Sequence, residues 1–308
     1  MSAAGRERTP FTDADTTANG EPRAAVSFRG LERLWLNTGT LCNLACEHCY
    51  IESSPTNDRL VWLTREDVRS ALRDAEETKQ PLKDIGITGG EPFMAPEIDG
   101  ILADCLAMGR PVLVLTNAMT PLRHHREALL RLRSERLTLR VSLDHFDAAK
   151  HEEERGPRSF RPAIEGLKWL SANGFQLAVA GRTLWTDGQA DMRAGYADLF
   201  AREGIAIDAD DPATLVLFPE MDEAAGVPEI TTACWQILGK SPDDLMCASE
   251  RMLVKRRGAD RASYAACTLL PYDPRFDLGT TLAEAATEVP LNHRWCAQFC
   301  VLGGGSCG

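Results

Sequence analysis

Three cysteines, Cys42, Cys46 and Cys49, lie close together in the segment LCNLACEHCYIE. The strand-like run LERLWLNT comes just before them, so we expect the cysteines on a loop that leaves the end of a strand. Three thiolates on one loop can hold three corners of a cubane 4Fe–4S cluster and leave its fourth iron open to a ligand. A structural zinc site requires four ligands, usually in pairs. On spacing alone, a zinc site or a redox switch remains an alternative.

A second motif, ITGGEPF, follows the next strand-like run, DIGIT. Gly89 and Gly90 can adopt positive φ and let the backbone approach a ligand closely. The carboxylate of Glu91 can accept hydrogen bonds from an ammonium group. Because this motif comes one helix and one strand after the cysteines, we expect both loops at the same edge of a sheet.

CNLACEHC resembles the signature loop of the radical S-adenosylmethionine (radical SAM) superfamily, and GGEP resembles that family's GGE motif. The resemblance implies a SAM-binding 4Fe–4S cluster on the three cysteines, whose open iron chelates the amino and carboxylate groups of SAM. It also implies that Glu91 and the backbone of Gly89 and Gly90 grip the methionine amino group. His48 occupies the position where the family usually has an aromatic ring near adenine.

Six strand-like runs alternate with helical patterns from Leu31 onward: LERLWLNT, KDIGIT, RPVLVLT, LTLRVSL, FQLAVAG and ATLVLFP. This alternation predicts an α/β fold with a parallel sheet and helical crossovers. Thr64 and Asp67 predict a capping box at the start of the first helix, and Asn173-Gly174 predict the end of a later one. The family resemblance specifies a partial (β/α)6 TIM-like barrel with a small cysteine-rich C-terminal extension.

Polar residues stand at the ends of the later strands, where the loops of parallel barrels converge on one face. Asn117 follows the third strand, Ser142 and Asp144 the fourth, and Arg182 the fifth. The resemblance implies that these residues contact the ribose and carboxylate of SAM. Alternatively, Asp144 caps the following helix and Asn117 makes a turn. The glycine-rich adenine motif that some members carry on strand five is not legible in VAGRTLW.

A second group of cysteines lies in the C-terminal region: Cys247, Cys267, Cys296, Cys300 and Cys307. The first two bracket a glycine-bearing segment that predicts a hairpin, and the last three form a cluster. This order resembles the SPASM/twitch extensions of the superfamily, which bind auxiliary 4Fe–4S clusters. We expect one auxiliary cluster on Cys247, Cys267 and Cys296, with Cys300 or Cys307 as its fourth ligand. A structural zinc site is the alternative.

The chain as a whole is predicted to comprise a mobile tail over 1–28, a core over 29–221 and an auxiliary-cluster region over 222–308. Its net charge of −11 argues against nonspecific nucleic-acid binding. No apolar run approaches the ~20 residues that span a bilayer, and no secretion signal is present. Ten cysteines in such a chain indicate metal or redox chemistry in the cytoplasm.

The resemblance implies reductive cleavage of SAM to methionine and a 5′-deoxyadenosyl radical, which abstracts a hydrogen from a C–H bond. It also implies a one-electron reductant such as flavodoxin or ferredoxin. An auxiliary cluster favours an oxidative modification, and no catalytic residue is assigned. Only about 30 residues precede the first strand, too few for a leader-recognition domain of ~80 residues, so we expect a small-molecule substrate.

Two alternatives to this function remain. The first is a maturase of a ribosomally synthesised peptide. The second is a non-enzymatic iron–sulfur sensor or electron carrier, against which GGEP argues because a carrier does not need a SAM clamp.

Overall fold

The computed structural model describes residues 9–185, 187–219, 221–222 and 224–304. Eight of its strands form one sheet: β1 Arg33–Asn37, β2 Asp84–Thr88, β3 Val112–Thr116, β4 Leu137–Ser142, β5 Gln176–Arg182, β6 Leu215–Phe218, β7 Glu250–Val254 and β8 Ser263–Ala265. Their order across the sheet is β6-β5-β4-β3-β2-β1-β7-β8. All neighbours are parallel except β7 and β8, which are antiparallel. The six predicted strands are therefore confirmed, and the sheet stays open.

The helices have these bounds: α1 Arg65–Glu77, α2 Ile98–Ala107, α3 Thr120–His124, α4 Arg126–Leu132, α5 Ala148–Arg155, α6 Phe160–Ala172, α7 Gln189–Glu203, α8 Cys234–Leu238 and α9 Leu282–Ala285. Helices α1 to α7 provide the crossovers between β1 and β6. The predicted capping box of α1 is present, because Thr64 and Asp67 exchange side-chain-to-backbone hydrogen bonds. Among the described helices, none is long and apolar enough to cross a membrane.

Alternating side chains of the strands enter two separate apolar clusters. Leu34 and Leu36 of β1 pack with the helices, whereas Trp35 packs with the C-terminal region on the other face. Gly86 lies opposite Trp35 in the sheet, and a Cβ there would lie 2.3 Å from the indole. The helices thus cover one face of the sheet, and the C-terminal region packs on the other.

The C-terminal region is continuous with the core sheet. Strand β7 pairs in parallel with β1, with Arg33 opposite Glu250, so the sheet extends past the predicted boundary at residue 222. The predicted glycine-bearing hairpin is present, since β7 and β8 pair and Gly258 between them has a φ of +81°. A π-helix over Cys296–Leu302 follows.

The predicted mobile tail is wrong for residues 9–28, which pack against the rest of the chain. Ala25–Val26 pairs antiparallel with Val289–Pro290, and Ala24 is fully buried. Arg23 is only 5% exposed and forms an ion pair with Glu229.

Contacts with Glu229 help to explain why residues 9–28 pack against the rest of the chain although their polar composition predicts a mobile tail. The Glu229 carboxylate accepts hydrogen bonds from the backbone amides of Phe11 and Ala18, both at 2.6 Å. The segment is therefore held partly by polar contacts with a distant carboxylate, which an apolar pattern in the sequence does not show.

Candidate functional site

A pocket at the carboxyl ends of β1 to β5 gathers most of the residues predicted to bind the cluster and SAM. Its lining includes the following predicted residues: Cys42, Cys46, His48, Cys49, Gly89, Gly90, Asn117, Ser142, Asp144 and Arg182. Glu91 does not belong to this lining. The structure thus brings together two loops and three further strand ends, as the parallel sheet predicts.

The three thiols of the cysteine loop share the pocket and affect one another electrostatically. Burial raises the pKa of Cys42 to about 12 and that of Cys46 to about 11, and the neighbouring thiols add to both shifts. Backbone amides contact the sulfurs of Cys42 and Cys49, at 3.4 Å and 3.3 Å. Thiolates in such a buried place require a positively charged partner, so this donor set fits cluster iron.

The glycine pair lets two loops come into direct backbone contact. Gly90 donates its amide to the carbonyl of Gly39 at 2.8 Å, and a Cβ on Gly90 would lie 2.3 Å from the carbonyl oxygen of Leu41. Gly89 has a φ of +142°, and its Cβ would lie 2.6 Å from the carbonyl of Gly39. The glycines therefore fix the segment that leads into Cys42.

Glu91 lies beneath the pocket and is 1% exposed. Its carboxylate accepts hydrogen bonds from the amides of Phe93 and Asn117, at 3.1 Å and 2.8 Å, and from the Thr116 hydroxyl at 2.8 Å. A carboxylate offers about four acceptor positions, so most of its capacity is used within the protein. Glu91 joins the ends of β2 and β3, which differs from the expectation that it faces the ligand.

Asn117 contacts the cysteine loop as well as making a turn. Its side-chain amide donates to Asn43 at 2.9 Å, and its side-chain oxygen accepts from the amide of Met119 at 3.0 Å. The turn interpretation of Asn117 is therefore confirmed, and its contact with SAM remains a prediction.

Asp144 does not cap α5, because Asp147 accepts hydrogen bonds from the first amides of that helix. Asp144 instead forms a bidentate ion pair with Arg155, and it is 1% exposed. Burial favours the neutral acid, but Arg155 holds the pKa of Asp144 below its usual range. Arg155 also acts electrostatically on Cys46 and Cys42.

Glu154 is a site residue that the sequence did not reveal. Its carboxylate lies 2.7 Å from Nδ1 of His48 and accepts from the His48 amide at 3.1 Å. It also pairs with Nη1 of Arg182 at 2.7 Å. One buried carboxylate on α5 therefore connects the cysteine loop to the end of β5.

Cys247, Cys267 and Cys296 also come together, on three different segments of the C-terminal region. Burial raises the pKa of Cys247 to about 11 and that of Cys267 to about 12, and both thiols act on Cys296. Cys300 packs against the apolar cluster to which Trp35, Cys247 and Cys296 belong. Cys307 lies outside the described residues. Within the described parts of the chain, no three histidine, cysteine, aspartate or glutamate side chains are spaced to hold a single metal ion.

The two cysteine groups are linked through the wall of the pocket. Leu269, two residues after Cys267, and Phe299, between Cys296 and Cys300, line the pocket together with the first cysteine loop. The ring of Phe299 stacks on that of Phe218, with centroids 6.3 Å apart. No pattern in the sequence indicates this shared wall, because it depends on packing between distant segments.

The family profile of the Radical SAM superfamily matches residues 36–191, just over half of the chain. The chain belongs to this superfamily. Radical SAM proteins are enzymes that use SAM and a 4Fe–4S cluster, so the predicted family, enzyme class and two principal cofactors are confirmed.

This radical SAM protein is similar in sequence to AlbA and MftC. The antilisterial bacteriocin subtilosin biosynthesis protein AlbA of Bacillus subtilis is 33% identical over 145 residues, which cover 45% of this chain and 30% of AlbA. The mycofactocin maturase MftC of Mycolicibacterium smegmatis is 29% identical over 199 residues, which cover 62% of this chain and 48% of MftC. The chain spans half or less of the length of these relatives.

Solved structures share the fold at low sequence identity. SuiB of Streptococcus suis bound to S-adenosylmethionine gives a TM-score of 0.58 at 17% identity, over 82% of this chain and 63% of that one. The anSMEcpe protein with bound AdoMet gives 0.57 at 14% identity, over 82% and 79%. These likenesses confirm the α/β partial-barrel fold class.

Proposed function

We propose that this radical SAM enzyme oxidatively modifies a precursor peptide at a C–H bond. The pocket that the first cysteine loop shares with Leu269 and Phe299 of the C-terminal region carries this proposal. A substrate in that pocket would lie between two cysteine groups. The names of the relatives support a peptide: they describe a bacteriocin biosynthesis protein and a maturase. SuiB has also been solved with its precursor peptide SuiA, with a TM-score of 0.51 at 20% identity, over 64% of this chain and 40% of SuiB.

In the SAM site, Cys42, Cys46 and Cys49 would hold the cluster. When bound, the reduced cluster and SAM supply a 5′-deoxyadenosyl radical that removes a hydrogen atom from the substrate. Glu154 holds His48 in the pocket wall, where we assign it to the adenine side.

The remaining pocket residues would orient SAM. The backbone of Gly89 and Gly90 is assigned to its amino group, and the side chains at the strand ends to its ribose and carboxylate. Those side chains are Asn117, Ser142, Asp144 and Arg182. Glu91 and Arg155 also hold neighbouring groups in place through hydrogen bonds within the protein, and the contact of Glu91 with the SAM amino group remains a prediction.

In the C-terminal region, Cys247, Cys267 and Cys296 would hold an auxiliary 4Fe–4S cluster, with Cys300 or Cys307 as the fourth ligand. Such a cluster supplies an acceptor for the electron left on the substrate, or an anchor for the substrate itself. A structural zinc ion is the alternative, and metal analysis distinguishes the two.

The preference for a small-molecule substrate is not retained. It rested on the length of chain before the first strand, and the curated relatives are much longer than the part that this chain matches. Reduction by flavodoxin or ferredoxin, a cytoplasmic location and the lack of a nucleic-acid or membrane partner remain predictions.

The decisive experiment does not require the substrate. Anaerobically reconstituted protein, reduced with dithionite and given SAM, should yield 5′-deoxyadenosine and methionine. Cys46→Ala should abolish this product, whereas Cys267→Ala, if folded, should retain part of it. No 5′-deoxyadenosine from the fully reconstituted, reduced wild type would contradict the proposed activity.

The substrate class needs a second assay. Short peptides encoded beside the gene are incubated with the enzyme, SAM and reductant, and their masses are measured. A mass change that requires all three components supports the peptide proposal. Unchanged peptides, together with a small molecule that stimulates SAM consumption, would reverse it.

A further inference from the structure

Arg251 is a fully buried cation in the C-terminal region, with 0% of its surface exposed. It lies on β7, four residues after Cys247. Its guanidinium donates to four backbone carbonyls: Ala285 at 2.9 Å, Cys247 at 2.7 Å, Glu250 at 2.8 Å and Thr287 at 3.0 Å. Its Cζ lies 4.3 Å from the centroid of the Phe28 ring. The hydrogen bonds hold the guanidinium in one position.

These neighbours give each guanidinium nitrogen of Arg251 a hydrogen-bond acceptor, but carbonyls do not neutralise its charge. Among the residues that the structure describes, no carboxylate forms an ion pair with it. A buried charge without an opposite partner costs several kcal/mol, so buried arginines are ordinarily paired. Arg23, another buried arginine, follows that rule through its ion pair with Glu229.

Burial lowers the pKa of Arg251, whereas the thiols of Cys247 and Cys267 are close enough to raise that pKa against the effect of burial. Arg251 also donates to the carbonyl of Cys247 itself. Cys247 and Cys267 in turn act on Cys296, so the arginine stands beside the assembled cysteine group. A cluster held by four thiolates carries net negative charge, and that charge would supply an ionic partner for Arg251.

We propose that Arg251 is the fixed counter-charge of the C-terminal cluster and raises its reduction potential. Reduction adds one electron to the cluster without making or breaking a bond. A buried cation nearby stabilises the more negative, reduced state because charges interact strongly where water is excluded. The inference rests on the proposed 4Fe–4S cluster at this site. It would make the C-terminal cluster a better acceptor for an electron from the substrate.

The test is an EPR-monitored redox titration of the full chain in which Cys42, Cys46 and Cys49 are replaced by Ala. This parent should hold about four irons. Arg251→Gln should lower the midpoint potential, and a tenfold change in the one-electron equilibrium corresponds to about 59 mV. Arg251→Lys keeps the charge without the planar fork of donors. Its midpoint potential should therefore stay close to that of the parent. Arg23→Gln removes a buried arginine that already has Glu229 as its partner, and it should leave the potential unchanged.

Each outcome bears on a different claim. A parent that holds zinc or no metal rejects the cluster assignment itself, and the role of Arg251 with it. An intact cluster whose potential is the same in Arg251→Gln rejects only the role of Arg251, leaving it as a structural donor to four carbonyls. If Arg251→Gln loses its iron, retention in Arg251→Lys supports the counter-charge, whereas loss in both variants overturns it.

Discussion

The backbone amide of Asn117 donates a hydrogen bond of 2.8 Å to the carboxylate of Glu91, tying the loop after β2 to the end of β3. The amide of Glu91 in turn donates to the carbonyl of Leu41 at 3.2 Å, next to Cys42. One residue therefore joins three strand ends beneath the pocket. The glutamate of the GGE motif stabilises the site through the protein as well as through any contact with SAM.

Replacing Glu91 with Ala should destabilise the protein even without cofactors. The substitution leaves the buried amides of Phe93 and Asn117 without their acceptor, and each such loss costs about 1–3 kcal/mol. We expect the free energy of unfolding of the cluster-free protein, measured by urea denaturation, to fall by at least ~2 kcal/mol. The exposed residue Glu153 provides a control through Glu153→Ala. Unchanged stability with weakened SAM binding would instead place Glu91 in direct contact with the ligand.

Replacing Gly90 with Ala should disturb the cysteine loop selectively. The added Cβ would lie 2.3 Å from the carbonyl oxygen of Leu41, so the two loops must separate. We expect a loss of ~1–3 kcal/mol in the free energy of unfolding, as overpacking usually gives. Iron bound after reconstitution should fall from about eight to about four per chain, because the C-terminal site is untouched.

Gly226→Ala is the matched control for this change. A Cβ at Gly226 meets no atom within 4 Å, and its φ is not positive. The control should therefore keep both its stability and its iron. Full iron content and normal SAM binding in Gly90→Ala would show that the loop tolerates the displacement.

Replacing Glu154 with Ala should weaken SAM binding, although Glu154 serves here as a positioning residue. The change removes one partner of Arg182 and the 2.7 Å contact made by the His48 side chain. A displaced side chain can lose at most the charge-assisted hydrogen bond that it would make to SAM, worth about 1.5–3 kcal/mol, so affinity should fall by up to roughly a hundredfold. Equilibrium dialysis against SAM with reconstituted protein measures it. An equal fall in Glu153→Ala would attribute the effect to the helix rather than to this carboxylate.

The sequence predicted the strands and their polar ends because each depends on local patterns. The run VLVL around Val114 is a continuous apolar stretch, the run around Leu34 has the shorter apolar stretch LWL, and the cysteine spacing is contained within one loop. Residues that act through distant partners were missed. Helix α5 has the sequence AAKHEEER, which reads as a solvated helix, yet His151 and Glu154 are buried on one side of it. Without large apolar neighbours, the spacing of these two residues does not indicate that their side of the helix is buried.

The pairing of β7 with β1 could not be foreseen for a different reason. Arg33 and Glu250 are far apart in the sequence, and strand pairing leaves no mark on either strand alone. The pattern indicated a hairpin between Cys247 and Cys267, but not the sheet that the hairpin joins. For the same reason, the sequence does not identify Phe299 as a pocket residue, since its position depends on how the C-terminal region packs on the sheet.

The anchoring of the N-terminal segment by Glu229 should depend on pH. Burial favours the neutral acid, but the amides of Ala18 and Phe11 and the guanidinium of Arg23 hold the pKa of Glu229 below its ordinary 4.5. A lowered folded-state pKa means that the ionised group contributes stability above its unfolded-state pKa. That contribution is lost as the pH falls through the folded-state pKa.

Glu229→Gln should therefore be less stable than the wild type at neutral pH, and the difference should shrink below pH 4.5, the ordinary value of the carboxyl group. Urea denaturation across this range measures the difference in unfolding free energy. Hydrogen exchange at the amides of Phe11 and Ala18 should be faster in the variant at neutral pH, because both amides lose a charged acceptor. Glu21→Gln, an exposed change in the same segment, should alter neither quantity. A stability difference that stays constant with pH would mean that the charge of Glu229 does not hold the segment.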